Sequence, residues 1–285
     1  MGTRSHHTSH PLRRAPLAGL TVLATATLLL ACSSEDATSG AADPAAVVIG
    51  SDLTSPPYAS YDGTTPVGID PDIMNAIATA QGVTLTWSDT RFAQLIPSLN
   101  ADNIDVIASG LYITAERAKQ VDYVPYFATG NAIIVRSGDA PLVSDTDLCG
   151  KSVSVIQGSD IISHLNDETS PECEHAGRPA VQVREFPSDP EALQALLSDQ
   201  VDAQVVGALV ASELVQKAGD GVQVTSEELI FPVQVGLAVR KGDEQHKQML
   251  EDGLTAIKAN GQYEEILTKY RLAAPDEDAL KKILG

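Results

Sequence analysis

Arg117 carries the side chain with the clearest chemistry in this sequence. It closes the run Ile113-Thr-Ala-Glu-Arg117, and its guanidinium can bind a carboxylate through two parallel hydrogen bonds. Ser159 and Asp160 open a predicted helix, whose first backbone amides favour an anion. An arginine on a helix is also commonly a solvated surface residue. These residue types alone therefore leave a ligand site and an ordinary surface both open.

No motif of a common catalytic or metal centre occurs in the sequence. Gly-x-Ser-x-Gly, the P-loop, His-Glu-x-x-His and a second cysteine pair for a metal are all absent from it. Half of the six histidines lie in the first ten residues, and His164, His175 and His246 are scattered on predicted surface segments. We therefore expect a protein that is not an enzyme and that holds no cofactor and no metal.

Residues 1–31 have the composition of a secretory signal. Three arginines and no acidic residue accompany an apolar stretch that is too short for a transmembrane helix of about 20 residues. Leu29-Leu-Ala-Cys32 resembles the bacterial lipobox, so we expect export and a lipid on Cys32 that anchors the protein to the outer face of the cell membrane. Residues 32–45 are polar and predict a flexible tether. An ordinary signal peptide is the alternative, and Arg13-Arg14 leaves general-secretory and twin-arginine export both open.

The other two cysteines are predicted to form a disulfide. Cys149 and Cys173 are 24 residues apart in a chain that we expect to be exported, where disulfides persist. A metal site is the alternative for Cys173 and His175, but no further ligand pair completes one.

The composition excludes several classes of protein. Acidic residues outnumber basic ones, 38 to 19, and the formal net charge is −19. A surface of that charge is repelled by a phosphate backbone, so we expect no nucleic-acid partner. Hydrophobic residues make up 43% of the chain, which is enough for a packed core but is not the composition of a multi-spanning membrane protein.

Strands and helices alternate after residue 45. Predicted strands lie at 47–50, 84–87, 104–109, 152–156, 181–185 and 201–206, and predicted helices begin at Asp70-Pro71, Phe92, after Gly158, and at Asp189-Pro190. The segment Ile104-Asp105 … Gly110 matches Val201-Asp202 … Gly207, which indicates two lobes of one kind. Parallel sheets with helices on both faces bind ligands beyond the carboxyl ends of their strands. Those ends are predicted at Ser51-Asp52, Ser109-Gly110, Gln157-Gly158 and Gly207.

A family resemblance rests on short motifs that occur in a fixed order. They are Ile49-Gly-Ser-Asp52, Pro56-Pro-Tyr58, Val67-Gly-Ile-Asp70, Leu95-Ile-Pro-Ser-Leu99, Ile104-Asp-Val-Ile107, Ile113-Thr-Ala-Glu-Arg117, Gly150-Lys151, Val155-Ile-Gln-Gly158, Val201-Asp-Ala203, Gly236-Leu-Ala-Val-Arg-Lys-Gly242 and Asn260-Gly-Gln-Tyr263. Over residues 46–271 the chain resembles the polar-amino-acid group of solute-binding proteins of ABC importers.

The resemblance implies an α/β fold of the periplasmic-binding-protein-like type II class. In it two α/β lobes with mainly parallel sheets are joined by two hinge strands. Lobe 1 would comprise residues 46–135 and 239–285, and lobe 2 residues 136–238. The crossings would fall near Ile134–Ser137 and Leu237–Arg240.

The resemblance also implies the residues of the ligand site. Arg117 would bind the ligand's α-carboxylate, with donors from Ser109, Gly110 and Thr114. Asp52, Tyr58 and Phe92 would line the side-chain pocket. The full set of expected ligand-binding residues is Asp52, Ser55, Tyr58, Phe92, Ser109, Gly110, Tyr112, Thr114, Arg117, Gln157, Ser159, Asp160 and Gly207.

Several of these positions depart from the family pattern. Ser55 stands where an aromatic ring often covers the ligand, and Tyr112 stands where serine or threonine is usual. Gly207 stands where many members have an aspartate that pairs with the α-ammonium. Asp160 is a replacement carboxylate, or else the ligand lacks a free α-amine. For Asp70 and Asp72 we expect helix capping and structural roles rather than cation binding.

The function implied is the capture of a small polar, carboxylate-bearing solute, such as an amino acid or a derivative. A monomeric protein would deliver it to an ABC permease complex. Two alternatives stay open, a sensory protein that presents its ligand to a membrane receptor and a dehydratase that uses Asp160.

Overall fold

The computed structural model describes residues 46–285. The strands are β1 Val47–Ser51, β2 Thr54–Ser55, β3 Ala59–Asp62, β4 Thr65–Val67, β5 Leu85–Asp89, β6 Val106–Ile107, β7 Val121–Arg136, β8 Ser152–Ile156, β9 Gln182–Phe186, β10 Ala203–Gly207, β11 Val222–Val224 and β12 Ile230–Arg240. The helices are α1 Ile69–Gln81, α2 Leu95–Asn100, α3 Ile161–Ser163, α4 Ser170–His175, α5 Asp189–Leu197, α6 Ala208–Ala218, α7 Glu244–Ala259, α8 Gln262–Tyr270 and α9 Glu277–Leu284. A π-helical turn, His164–Thr169, joins α3 to α4.

One sheet of nine strands runs through residues 46–285, in the order β5-β1-β6-β12-β7-β10-β8-β9, with β11 on β7. At one end β1 is parallel to β5 and β6, and at the other β8 is parallel to β9 and β10. The long strands β7 and β12 lie antiparallel between the two parallel sets. We call the part around β1, β5 and β6 the first lobe and the part around β8, β9 and β10 the second lobe. The α/β architecture is as expected, but the two predicted sheets are continuous.

The strand pairing locates the change of lobe. Gly236–Arg240 of β12 pair with the first part of β7, and Ala238 also pairs with β6 of the first lobe. Asn131–Ile134 of β7 pair with β10 of the second lobe. We therefore propose that the chain changes lobe near residues 128–131 and 230–234, a few residues earlier than the limits of 135 and 238 suggest.

The helix starts correct two details of the sequence analysis. Asp70 does not cap α1, because Gly68 occupies the cap position and Asp70 lies buried in the first turn. Ser188 caps α5, since its backbone is extended and its hydroxyl accepts the Glu191 amide. Asp189 is already helical there, so its carboxylate is free for other contacts. Asp72, by contrast, ties α1 to α8 through Tyr270, at 2.9 Å.

The predicted strand at 104–109 is much shorter in the structure. Only Val106–Ile107 form β6. At its start the Asp105 carboxylate accepts the Val48 amide at 2.9 Å, while the amides of Asp105 and Ala108 still donate to β1 carbonyls. Ile73 and Ile77 of α1 are buried, and so are Leu250, Leu254, Ile257 and Leu267 of the C-terminal helices.

The second lobe contains a disulfide between Cys149 and Cys173, whose Cα atoms are 5.5 Å apart. Cys173 is buried beside Leu148 and Leu165 in the core of that lobe. Within residues 46–285, no three His, Cys, Asp or Glu side chains are grouped as metal ligands. None of the helices in the same range has the length and apolar character that a bilayer crossing requires. Cys32 and the predicted signal lie outside the described residues.

Candidate functional site

A cavity lies where the two lobes meet. It is bounded by loops and helix starts that follow strands of the central sheet, as expected for ligand sites in such sheets. Its lining residues are Ser55, Tyr58, Phe92, Ser109, Gly110, Tyr112, Ile156, Ser159, Ile161, Asp189, Val206, Gly207 and Val210. Eight of them belong to the expected set, and Asp52, Thr114, Arg117, Gln157 and Asp160 of that set do not line the cavity.

Arg117 lies beside the cavity and joins the two lobes. Its guanidinium donates from Nη1 to the Tyr112 carbonyl at 2.8 Å and from Nη2 to the Gly158 carbonyl at 2.9 Å. The guanidinium carbon is 5.7 Å from the centroid of the Phe92 ring. Arg117 is only 9% exposed, so it is not a solvated surface residue. An arginine has further N–H donors beyond these two, and they remain for a carboxylate.

The carboxylate of Asp52 is engaged within the first lobe. One oxygen accepts the Thr54 hydroxyl at 2.6 Å and lies 3.0 Å from Nη1 of Arg91. The other oxygen accepts the Phe92 amide at 2.9 Å. Asp52 therefore positions Phe92, which does line the cavity, and is not itself in the lining.

Asp70 holds the loop that carries Ser109 and Gly110. Its carboxylate accepts the Gly110 amide at 2.9 Å and the hydroxyl of Tyr126. Burial raises the pKa of Asp70 to about 7, although the two hydrogen bonds by themselves lower it. The Gly110 amide, which we expected to serve the ligand, is therefore already used. Gly110 has a φ of 55°, and a Cβ there would lie 2.9 Å from the Tyr58 ring, so glycine is required.

Two tyrosines fill the space beside Gly207. A Cβ at Gly207 would lie 2.8 Å from the Tyr112 hydroxyl and 3.0 Å from the Tyr58 hydroxyl. Tyr112 donates to the side-chain oxygen of Asn131 at 3.0 Å, and burial raises the pKa values of both tyrosines well above the ordinary value. An acidic side chain at position 207 has no room while both rings are in place.

Asp160 lies near Arg117 rather than in the cavity wall. Burial raises the pKa of its carboxyl, and the charges of Arg117 and His164 oppose this effect. One oxygen is 3.7 Å from Nε2 of His164. The structure therefore does not bring Asp160 to the cavity beside Gly207.

Asp189 is the acidic residue that does line the cavity, and the sequence analysis assigned it only to a helix start. It is 4% exposed, and one carboxylate oxygen accepts the Ser55 hydroxyl at 2.7 Å across the lobes. A signal was present, because Asp189 follows the carboxyl end of the predicted strand 181–185. The apolar wall of Ile156, Val206 and Val210 was also missed, since those residues lie inside or just after strands.

Comparison with known proteins gives a consistent assignment. The family model described as bacterial extracellular solute-binding proteins, family 3, matches residues 47–273. The L-arginine-binding protein of Pseudomonas aeruginosa is 32% identical over 233 residues, which cover 79% of this chain and 87% of that protein.

Solved structures show the same similarity. An ancestral arginine-binding protein bound to arginine matches with a TM-score of 0.71 and 35% identity, over 79% of this chain and 97% of that one. An ancestral amino-acid-binding protein, described as a precursor of cyclohexadienyl dehydratase, matches with a TM-score of 0.66 and 28% identity, over 79% and 95% of the two chains. The fold is thus periplasmic-binding-protein-like, and the chain belongs to the bacterial extracellular solute-binding proteins of family 3.

Proposed function

We propose that this protein captures an amino acid or a close derivative outside the cytoplasmic membrane and delivers it to an ABC importer. The observation that carries the proposal is the cavity lined by residues of both lobes. A ligand that contacts both lobes is more tightly held when they close, and closure therefore couples capture to a change of shape. The arginine-binding protein of Pseudomonas aeruginosa supports the ligand class.

Arg117 is the proposed partner of the ligand's carboxylate. It is buried at the junction of the lobes, beside a cavity with largely apolar walls. A charge-assisted pair is strong where water is excluded. Ser109 and Ser159 line the same cavity and offer hydroxyl donors to an anionic group.

A ligand screen tests the function. The mature protein without its lipid would be titrated calorimetrically with the common amino acids, their decarboxylated amines and their deaminated acids. We expect at least one carboxylate-bearing member to bind and to be recovered unchanged. Conversion of the bound compound would favour the dehydratase, and binding of none of the panel would contradict amino-acid capture.

Lipid anchoring through Cys32 is proposed from the lipobox-like sequence. Cys32→Ser should release the protein from membranes or block its maturation, because the sulfur is the lipid acceptor. Fractionation and intact mass of the wild type and the variant give the readout. A variant that stays membrane-bound at the wild-type mass would contradict the anchor.

A further inference from the structure

Asp189 is a buried carboxylate whose charge has no partner cation within residues 46–285. Its oxygen Oδ2 accepts the Ser55 hydroxyl at 2.7 Å. Its oxygen Oδ1 is buried and has no hydrogen-bond partner among the described residues. An ionised carboxylate with an open oxygen is costly to bury unless a cation or further donors satisfy it. The molecule therefore holds an acceptor whose partner must come from elsewhere.

The surroundings of Asp189 select a cation rather than a neutral donor. Val206 and Val210 form an apolar wall of the cavity that Asp189 lines. A low-dielectric wall strengthens the attraction between a carboxylate and a positive nitrogen. Burial raises the pKa of Asp189, and the charge of another acid, Asp52, adds to this effect. A ligand hydroxyl would leave this negative charge uncompensated.

A second acceptor faces the same space. The Tyr58 hydroxyl is buried near the side chains of Tyr112 and Thr129 but makes no hydrogen bond of full geometry among the described residues, and it lines the cavity with Asp189. A protonated amine needs several oxygen acceptors, and a guanidinium needs acceptors in one plane. Asp189 and Tyr58 supply two of them from the two lobes.

The other acid near the site has a different role. Asp160 lies outside the cavity lining, and the charge of Arg117 acts on it. Its oxygen Oδ1, like that of Asp189, is buried without a hydrogen-bond partner among the described residues. The two acids differ in that Arg117 compensates the charge of Asp160, whereas no cation among the described residues pairs with Asp189.

We infer that Asp189 is the binding site for a cationic nitrogen of the ligand, with Ser55 holding one oxygen and the other oxygen contacting the ammonium or guanidinium. The inference rests on the proposed function, and it narrows the ligand to a compound that carries a positive nitrogen. An α-ammonium and a side-chain cation share this chemistry. Gly207 leaves room for the hydroxyls of Tyr58 and Tyr112. The carboxylate that position 207 lacks is supplied by Asp189 of helix α5.

The test uses Asp189→Asn, which keeps an oxygen acceptor for Ser55 but removes the charge. Glu185→Gln is the matched control, because it removes one exposed carboxylate from the preceding strand β9. For the amino acid that binds the wild type most tightly, we expect Asp189→Asn to weaken binding at least about 30-fold, as for one member of a buried charge pair. Glu185→Gln should change binding less than about 2-fold, within the range of ordinary surface substitutions.

Matched ligands identify the cation. The deaminated acid lacks the α-ammonium, and an analogue with a neutral side chain lacks a side-chain cation. Whichever analogue lacks the nitrogen that contacts Asp189 should bind the wild type and Asp189→Asn with equal affinity. Thermal unfolding at pH 8 should show that Asp189→Asn is folded and no less stable than the wild type.

Each failure has its own meaning. Equal binding of the parent ligand by Asp189→Asn and wild type would overturn this inference and leave amino-acid capture intact. Equal losses for the parent and every analogue would also overturn it, since they indicate a general distortion. A loss in Asp160→Asn with none in Asp189→Asn would assign the cation to Asp160. A wild type that binds nothing in the panel would overturn the inference and the proposed function together.

Discussion

At the scale of single residues, the site is shaped by which side chains fill the space beside Gly207. The family pattern that the sequence resembles has an aspartate at this position. In this chain the hydroxyls of Tyr58 and Tyr112 occupy that space instead. The backbone at Gly207 has a φ of −51°, which any residue can adopt. Glycine is therefore required by the contact with the tyrosines and not by the backbone.

Gly207→Asp should destabilise the protein by about 1–3 kcal/mol, because the new side chain overlaps the Tyr112 hydroxyl in a packed site. The double variant Gly207→Asp with Tyr112→Ser should recover part of this loss, since serine vacates the space. Urea denaturation of the two single variants and the double variant gives the coupling energy. Strictly additive losses would show that the two positions do not compete for one volume.

Buried carboxyls predict how stability depends on pH. The pKa of Asp70 is raised to about 7 and that of Asp189 to about 6, from 3.8, chiefly by burial. The folded state therefore keeps these protons after the unfolded state has lost them, so their contribution is fully present below pH 4 and is lost as pH rises to about 7. The titratable groups whose charges interact with that of Asp189 are Asp52, Tyr58 and Tyr112.

We therefore expect the free energy of unfolding of the ligand-free protein to fall between pH 4.5 and 7.5. Asp189→Asn should flatten part of this slope, by up to about 3 kcal/mol for a shift of about two pKa units. Urea denaturation at several pH values measures both slopes. The partly buried acids with lowered pKa values, such as Asp122 and Asp202, act below about pH 4 and do not interfere. An unchanged slope in the variant would show that Asp189 does not hold its proton in the folded state.

At the scale of elements, β7 and β12 make one sheet out of two lobes. Each strand takes part in pairing on both sides of the junction, β7 with β12 and β10, and β12 with β7 and β6. The pairing of β12 with β7 is irregular between Ile230 and Val233 and between Val235 and Gly236. Irregular pairing bends strands locally, and these positions lie where a hinge between the lobes is needed.

The disulfide links two segments of the second lobe. It joins Cys149, just after Leu148, to Cys173 of helix α4, and the two cysteines are 24 residues apart in sequence. Reduction should lower the free energy of unfolding by roughly 3 kcal/mol, since the closed loop restricts the unfolded chain. Denaturation with and without reductant measures the difference, and the unreduced peptide map should contain a Cys149–Cys173 cross-link. Two free thiols in protein taken from outside the cytoplasm would contradict the bridge.

At the scale of the whole molecule, two of the side-chain contacts that join the lobes within residues 46–285 involve groups at the cavity. The Arg117 guanidinium bonds the Gly158 carbonyl, and the Ser55 hydroxyl bonds the Asp189 carboxylate. Both contacts cross the cavity region, so a ligand and the lobes compete for the same polar groups. A ligand that satisfies these groups better than the lobes do shifts the population of closed molecules.

Ligand binding should therefore reduce the radius of gyration in solution scattering. Arg117→Ala should weaken the binding of a carboxylate-bearing ligand by about 2–5 kcal/mol, because one partner of a buried charge pair is lost. The decarboxylated amine should lose much less. Lys119→Ala is the control, since Lys119 is exposed and pairs with Glu116 on the surface. A tight ligand that leaves the radius unchanged and binds Arg117→Ala equally well would contradict the two-lobe clamp.

Much of the architecture could be predicted from local sequence patterns. The strand at 152–156 and the helix begun by Asp189-Pro190 lie where the patterns place them. Hydrophobic periodicity and helix-start residues depend on neighbours a few positions away, so one sequence is enough to locate them. The order of the short motifs likewise indicated the family, which the comparison shows.

The chemistry of the site depended on contacts that no local pattern contains. Asp70 and Asp189 both looked like helix-start residues, yet their partners are Gly110, 40 residues away, and Ser55, 134 residues away. Asp160 was one of two explanations offered for Gly207, and the acid that lines the cavity together with Gly207 is Asp189. The charge state and the role of a carboxyl are set by its burial and its hydrogen-bond partners. Both are properties of the packed lobes, so they arise only when distant segments meet.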